Sequence, residues 1–240
     1  MKLEDVRKLH QKKYREEFGY FLVEGEHPVL ELQKAALTNP QLQGCDLYVT
    51  REREHLGADF KTHVISEARM AQISNTKTPQ GIVALVPMFR PAPPRADERA
   101  IYLHQIQDPG NLGTILRALA WFGEFRCLLS PGSVDPYNSK AVRASMGAIF
   151  HVAFELDVEL LALRGRFGRI ACLDMQGEIL SSPAFKAFNC YVFGNEARGL
   201  PQETLASINA KPFAIAGHGS IESLNLASAV SVCAYELTRQ

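Results

Sequence analysis

The sequence predicts an α/β protein of two domains, the second built on a mostly parallel sheet with helices on both faces. Three observations carry that reading. Short apolar runs of strand type alternate with helix-type stretches along the whole chain. From residue 100 onward each strand-type run is followed by a helix-type stretch at a spacing that implies a mostly parallel sheet covered on both faces. A single proline-rich, charged stretch, PMFRPAPPRADER, breaks the alternation between GIVALV and AIYLHQI.

Taken in order, a basic amphipathic helix precedes the strand YFLVEG. Then come helix EHPVLELQKAA, strand CDLYVT, a short helix, the run HVIS, a helix around EARMAQI, and strand GIVALV. This defines a small N-terminal α/β domain over residues 1–87, followed by a linker over 88–99. In the second domain, 100–240, strand IYLHQI leads into helix NLGTILRALAWFG, strand RCLLS, helix SKAVRASMG, strand HVAFEL and a helix to Phe167. Strands RIACLD and CYVFG and a final helix from about Ser223 complete it.

At 240 residues and 46% hydrophobic content, the chain can bury one generous core or two modest ones. The first ten residues are charged and no run approaches the roughly 18 apolar residues of a membrane span, so a cytoplasmic, membrane-free protein is expected. The five cysteines form no CxxC pair and sit in apolar runs, the pattern of buried free thiols; the seven histidines show no paired spacing, so no metal is expected. Lys+Arg and Asp+Glu balance at 26 each, but unevenly: Lys2, Arg7, Lys8, Lys12, Lys13 and Arg15 face only Glu4 and Asp5 over residues 2–15. Phosphate binding depends on local positive charge, and Lys8, Lys12, Lys13 and Arg15 are the candidate contacts to a nucleic-acid backbone.

Three segments of the second domain carry more polar chemistry than packing requires. In the first, Asn111 to Gly123, a helix would place Leu112, Ile115, Leu116 and Leu119 on one side, with Asn111 at or near the N-cap and Arg117 off the apolar stripe. In the second, a buried-type strand runs into Gly194-Asn-Glu196-Ala-Arg198-Gly199-Leu-Pro201, where glycine leaves backbone uncovered at a strand's carboxyl end. In the third, a glycine-rich loop from Ile215 leads to a helix with Ser223 and Asn225 in its first turn. Gly217 and Gly219 do not make a dinucleotide fingerprint, because the third glycine is absent and too little chain follows for a βαβ unit.

Together these segments resemble the three motifs of the SpoU (TrmH) family of the SPOUT superfamily, RNA ribose 2′-O-methyltransferases: N-x-G-x-x-x-R-x-A-x-x-F-G, G-x-E-x-x-G-L and a C-terminal S-L-N helix start. Ser145-Met-Gly147-Ala148 matches the family's S-x-G-A segment. The likeness spans about residues 100–238, and RKLHQKKYREEFGYFLVEGEHPVLE extends it through an N-terminal substrate-binding domain of ribosomal-protein type. It implies a C-terminal trefoil knot, which the alternation of elements alone would not suggest. It implies S-adenosylmethionine as methyl donor, held largely by backbone at Gly194, Ile215 and Leu224, and a homodimer formed beside that site.

The resemblance further implies a catalytic set of Asn111, Arg117, Glu196, Ser223 and Asn225. Arg117 stands where the family activates the ribose hydroxyl. A guanidinium stays protonated, so holding phosphate and stabilising the developing alkoxide suits it better than accepting a proton. Glu196 either orients Arg117 or Asn111 or, as a carboxylate near the hydroxyl, accepts its proton directly, and the sequence does not separate the two; Ser223 and Asn225 hydrogen-bond loop and ribose, and His218 is not placed in the set. Ribosomal RNA is favoured over transfer RNA by the separate N-terminal domain. Two alternatives are a silent RNA-binding or ribosome-assembly protein on the same scaffold, for which a motif residue should be missing, and a base-methylating relative, whose polar set should differ.

Overall fold

The computed structural model describes the chain except residues 58–59, 91, 96, 218–222 and 240. In chain order the elements are α1 (Leu3–Lys8), α2 (Lys12–Phe18), β1 (Tyr20–Glu24), α3 (Glu26–Ala36), β2 (Asp46–Val49), β3 (Lys61–Val64), α4 (Glu67–Ile73), β4 (Ile82–Pro87), β5 (Arg99–Leu103), α5 (Pro109–Phe122), β6 (Phe125–Leu129), α6 (Ser139–Ser145), β7 (Ala153–Glu155), α7 (Leu163–Arg166), β8 (Ile170–Ile179), β9 (Cys190–Phe193), α8 (Gln202–Ser207), β10 (Lys211–Ala214) and α9 (Leu226–Thr238). They pack as two compact units, Met1–Arg90 with Asp135–His151, and Pro91–Val134 with Val152–Gln240.

The first unit holds a four-stranded sheet in the order β1-β4-β2-β3, antiparallel except for the β2–β3 pair. Val6 and Leu9 from the α1 end and Met70 and Ile73 from α4 close its core with Leu22, Tyr48, Val83 and Leu85. The basic N-terminal stretch is two helices rather than one, because Gln11 adopts extended backbone between them.

The segment 135–151 belongs to this unit by packing, although the sequence places it inside a continuous 100–240 domain. Its attachment is polar and aromatic. Arg15 donates through Nε to Asp135 Oδ2 at 3.0 Å, again through Nη2 to the same oxygen, and through Nη1 to the Leu9 carbonyl at 2.8 Å. Glu24 lies 3.8 Å from Arg143, the Asn75 amide reaches Ser139 at 2.8 Å, and Tyr137 packs on Phe21 with ring centroids 4.7 Å apart. The expected linker is likewise tied down at both ends: Arg90 exchanges two hydrogen bonds with Gln41, while Arg126 in the second unit donates to the Ala92 carbonyl and to Glu98.

The second unit is a six-stranded, all-parallel sheet in the order β10-β8-β9-β5-β6-β7. Tyr102, Leu128, Val158, Leu163, Cys172, Val192 and Leu205 fill one core cluster, while α5 buries Leu112, Ile115, Leu116 and Leu119 and packs against α9. From β5 the chain builds outward through β6 and β7, then crosses to β8 and returns to lay β9 beside β5. The connections of β5 and β9 therefore diverge, and the gap at their carboxyl ends is the topological switch point where parallel sheets accept ligands. The segment leading into α9, on which the expected knot depends, includes 218–222 and so lies partly outside the described residues. All five cysteines are free and buried; burial pushes the thiols of Cys45 and Cys127 up to about 12, which leaves them inert.

Candidate active site

The polar site grows from the ends of β5 and β9. After β5, Asp108 caps α5 by accepting from the Asn111 N–H at 2.8 Å, with Pro109 at the first helical position. Asn111 is thus not the cap itself but lies close to it, in the first turn of the helix, where its side chain is released for other work. After β9, Asn195 builds a tight turn. Its backbone pairs with Gly199 in both directions, its Oδ1 accepts from the Ala197 and Arg198 N–H groups at 3.0 Å, and its Nδ2 holds the Gln105 carbonyl at 2.7 Å. Asn195 is buried and links the β9 turn to the loop after β5, a role that sequence reasoning missed although the residue lies inside the G-x-E motif.

Gly194 is required by this turn. A Cβ there would fall 2.6 Å from the Gly199 carbonyl carbon, which is rigid backbone with no way to yield, and Gly199 itself sits at φ +67.

A directed chain of hydrogen bonds then joins the three motif segments. Glu196 Oε1 accepts from Asn111 Nδ2 at 3.2 Å, Asn111 Oδ1 accepts from Asn225 Nδ2 at 3.0 Å, and Asn225 Oδ1 accepts from the Ala227 and Ser228 N–H groups at 2.9 and 3.3 Å. Both ends of the chain are unambiguous, since a carboxylate only accepts and a backbone N–H only donates. Each amide orientation is therefore dictated by its neighbours. Asn225 is the N-cap of α9, so that helix begins at Leu226 and Ser223 lies before it, exposed, rather than in its first turn.

The remaining expected residues are placed as follows. Arg117 is exposed on α5, on one stripe with Thr114 and Trp121, and among the described residues it has no hydrogen-bond or ion-pair partner. Glu196 accepts from Asn111, not from Arg117. Gly194 follows β9, Ile215 follows β10 half-buried, and Leu224 precedes α9 nearly half exposed. His218 lies outside the described residues. Among those described, no group of His, Cys, Asp and Glu is arranged to hold a metal, and no helix is long and apolar enough to cross a membrane.

Of the four expected RNA contacts on the first unit, three stay on the surface: Lys8 beside Asp5 at 2.8 Å, Lys12 beside Glu16 at 3.6 Å, and Lys13 over the Tyr14 ring. Arg15 does not. Its side chain is 4% exposed and its donors are committed to Asp135 and Leu9, so it is removed from the expected patch.

Residues 98–235 match the family model described as the SpoU rRNA Methylase family, and residues 1–84 match an MRM3-like substrate binding domain. An uncharacterised tRNA/rRNA methyltransferase of Synechocystis sp. is 31% identical over 99% of this chain and 90% of its own length. The 23S rRNA (guanosine(2553)-2′-O)-methyltransferase RlmP of Bacillus subtilis is 30% identical over 98% and 95%. Among solved structures, the AdoMet-bound rRNA methyltransferase of Sinorhizobium meliloti superposes with a TM-score of 0.84 at 25% identity, covering 99% of this chain and 94% of that one.

Proposed function

Because the chain belongs to the SpoU rRNA methylase family, we infer that it transfers a methyl group from S-adenosylmethionine to a ribose 2′-hydroxyl of RNA, with ribosomal RNA the favoured substrate. The observation that carries this reading is the chain Asn225–Asn111–Glu196, which draws all three motif segments together at the switch point of the sheet. No polar residue of the motifs is missing, which speaks against a silent scaffold.

The donor, when bound, supplies an electrophilic methyl carbon. The residues present fit such a molecule: Gly194, beside the turn held by Asn195, carries no side chain to cover the backbone just after β9, and Ile215 and Leu224 offer apolar surface beside backbone groups. The protein's own task is to hold the acceptor oxygen in line and stabilise it as its proton leaves. Arg117 is free to take an RNA phosphate and the developing alkoxide with its planar fork, because no partner among the described residues already occupies it. Glu196 positions Asn111 rather than Arg117, and Asn225 couples that arrangement to the start of α9.

Asn225 serves as both cap and link, and replacement by aspartate separates the two. Asn225→Asp keeps an oxygen for the α9 N–H groups but loses the donor to Asn111. The expected result is a melting temperature near wild type with turnover lowered by roughly ten- to a hundredfold, the range for a hydrogen bond in a network with a charged group. Wild-type turnover together with an unchanged melting temperature would make Asn225 a cap and nothing more.

The active form in this reading is a homodimer joined through α5 and α9. These helices pack together and leave Trp121 84% exposed, with Val232 and Tyr235 also exposed, an apolar surface of the kind that marks association. Sedimentation of the wild type should give a dimer at micromolar concentration and Trp121→Glu a monomer; a fully active wild-type monomer would refute the pairing.

The test of the whole assignment is a map of ribose methylations in RNA from cells lacking this gene. One lost 2′-O-methyl mark, restored by the wild-type protein and not by Arg117→Ala, is the expected outcome. An unchanged map would reject it.

A further inference from the structure

The corner between α1 and α2 has a feature that charge alone does not explain. Lys8, from α1, and Lys13, from α2, both bring their ammonium groups to the ring of Tyr14, at 5.8 and 5.6 Å from its centroid. Phe18, one turn further along α2 and packed against the core of the first unit, lies 5.8 Å from the same ring at an interplanar angle of 31°. The Tyr14 hydroxyl has no hydrogen-bond partner among the described residues, and the side chain is half-buried rather than sunk into the core. The corner is held firmly. Arg15, the next residue, ties α2 to the Leu9 carbonyl and to Asp135, so the ring and its two lysines are carried on a fixed frame.

Of the nearby acids, Asp5 is engaged by Lys8 and Glu16 by Lys12, while Glu17 is exposed; Lys13 has no ion-pair partner among the described residues. A half-buried aromatic ring with two ammonium groups over it, on a surface otherwise rich in lysine, combines two kinds of contact. The ring offers a face on which a base can stack, and the lysines can pass from the ring to the flanking phosphates. Bases inside a duplex are already stacked and present no free face, whereas an unpaired base does.

We propose that Tyr14, flanked by Lys8 and Lys13, is a stacking platform for an unpaired base of the RNA substrate. The proposal rests on the RNA-methylation reading above and adds to it that the first unit selects single-stranded segments of that RNA over helical ones. Arg15 serves as a positioning residue for the platform and touches no RNA.

The experiment uses the full-length protein, a fluorescein-labelled single-stranded oligouridylate and an RNA duplex of equal length, with affinities measured over a range of salt. Tyr14→Leu should weaken binding to the single strand by roughly ten- to a hundredfold, leave duplex binding unchanged and leave the salt slope of single-strand binding unchanged. Tyr14→Phe should bind as wild type, and Tyr14→Trp at least as tightly, which keeps the test valid if the leucine variant is less stable. In addition, a 5-iodouridine oligomer should photocrosslink to Tyr14. Single-strand binding by Tyr14→Leu at wild-type strength, or equal losses on both RNAs with a shallower salt slope, would overturn the platform and leave a purely electrostatic patch. A protein-binding surface would show instead as wild-type affinity for both RNAs in every variant, which also overturns it. Failure of the underlying activity is separate: it would appear as no methyl transfer to RNA by the wild type.

Discussion

Replacing Arg117 with alanine is expected to slow single-turnover methylation by roughly a hundred- to a thousandfold while donor affinity stays at the wild-type level. The guanidinium stands exposed on α5, one turn before Trp121 on the same stripe, and no partner among the described residues competes for it. Such a side chain contributes nothing to stability that its loss would reveal, so an effect on rate isolates its role in the transition state. Arg117→Lys should fall nearly as far, because lysine keeps the charge but not the planar fork that can engage phosphate and alkoxide together. Donor binding, measured by calorimetry, should survive both changes, since backbone at Gly194, Ile215 and Leu224 is the contact proposed for it. A variant that methylates at the wild-type rate would remove Arg117 from the catalytic set.

Arg15→Ala should be the most damaging of the changes in the N-terminal helices, and the damage should be to folding. The arginine and Asp135 are both nearly inaccessible to water, and removing one partner of such a pair strands the other charge and the Leu9 carbonyl. A loss of about 3 to 5 kcal/mol is expected in urea unfolding. Lys12→Ala, at an exposed pair, should change stability by about 0.5 kcal/mol or less. If Arg15→Ala unfolds like the wild type and instead weakens RNA binding, the arginine returns to the phosphate patch.

Arg15 also shows where sequence reasoning stops. Six cations crowd residues 2–15, and nothing local distinguishes the one whose partner, Asp135, lies 120 residues away. The same long-range pairing draws 135–151 onto the first unit, a displacement that strand and helix periodicity within that segment does not encode. By contrast, the polar cluster at the sheet's switch point was legible. Asn111, Glu196 and Asn225 lie in segments whose glycines and polar residues exceed the needs of packing, and the structure joins them by hydrogen bonds of 3.2 and 3.0 Å.

The errors within those segments have local causes. Asp108 followed by Pro109 is the stronger start signal for α5, so Asn111, expected at or near the N-cap, lies near it in the first turn. The edge strand β10 was passed over because it is four residues long and contains Pro212, which edge strands tolerate and central strands do not. Strand β8 runs on to Ile179 because its far end pairs again with β10 after a shift in register between Pro212 and Phe213. Asn195 was readable as part of a motif, but its task of clamping the Gln105 carbonyl follows only from the adjacency of β5 and β9.

The acceptor of the methyl group in this reading is a ribose 2′-oxygen, and transfer of a labelled methyl group reveals the atom that receives it. The wild-type protein is incubated with ribosomal RNA and S-adenosylmethionine carrying a labelled methyl group, and the RNA is digested to nucleosides and resolved by mass spectrometry. The label should appear in a single 2′-O-methylated nucleoside, with the added mass on the ribose fragment, and should be absent when Arg117→Ala replaces the wild type. Label on the base fragment, or no label in RNA from the wild-type reaction, would contradict the account.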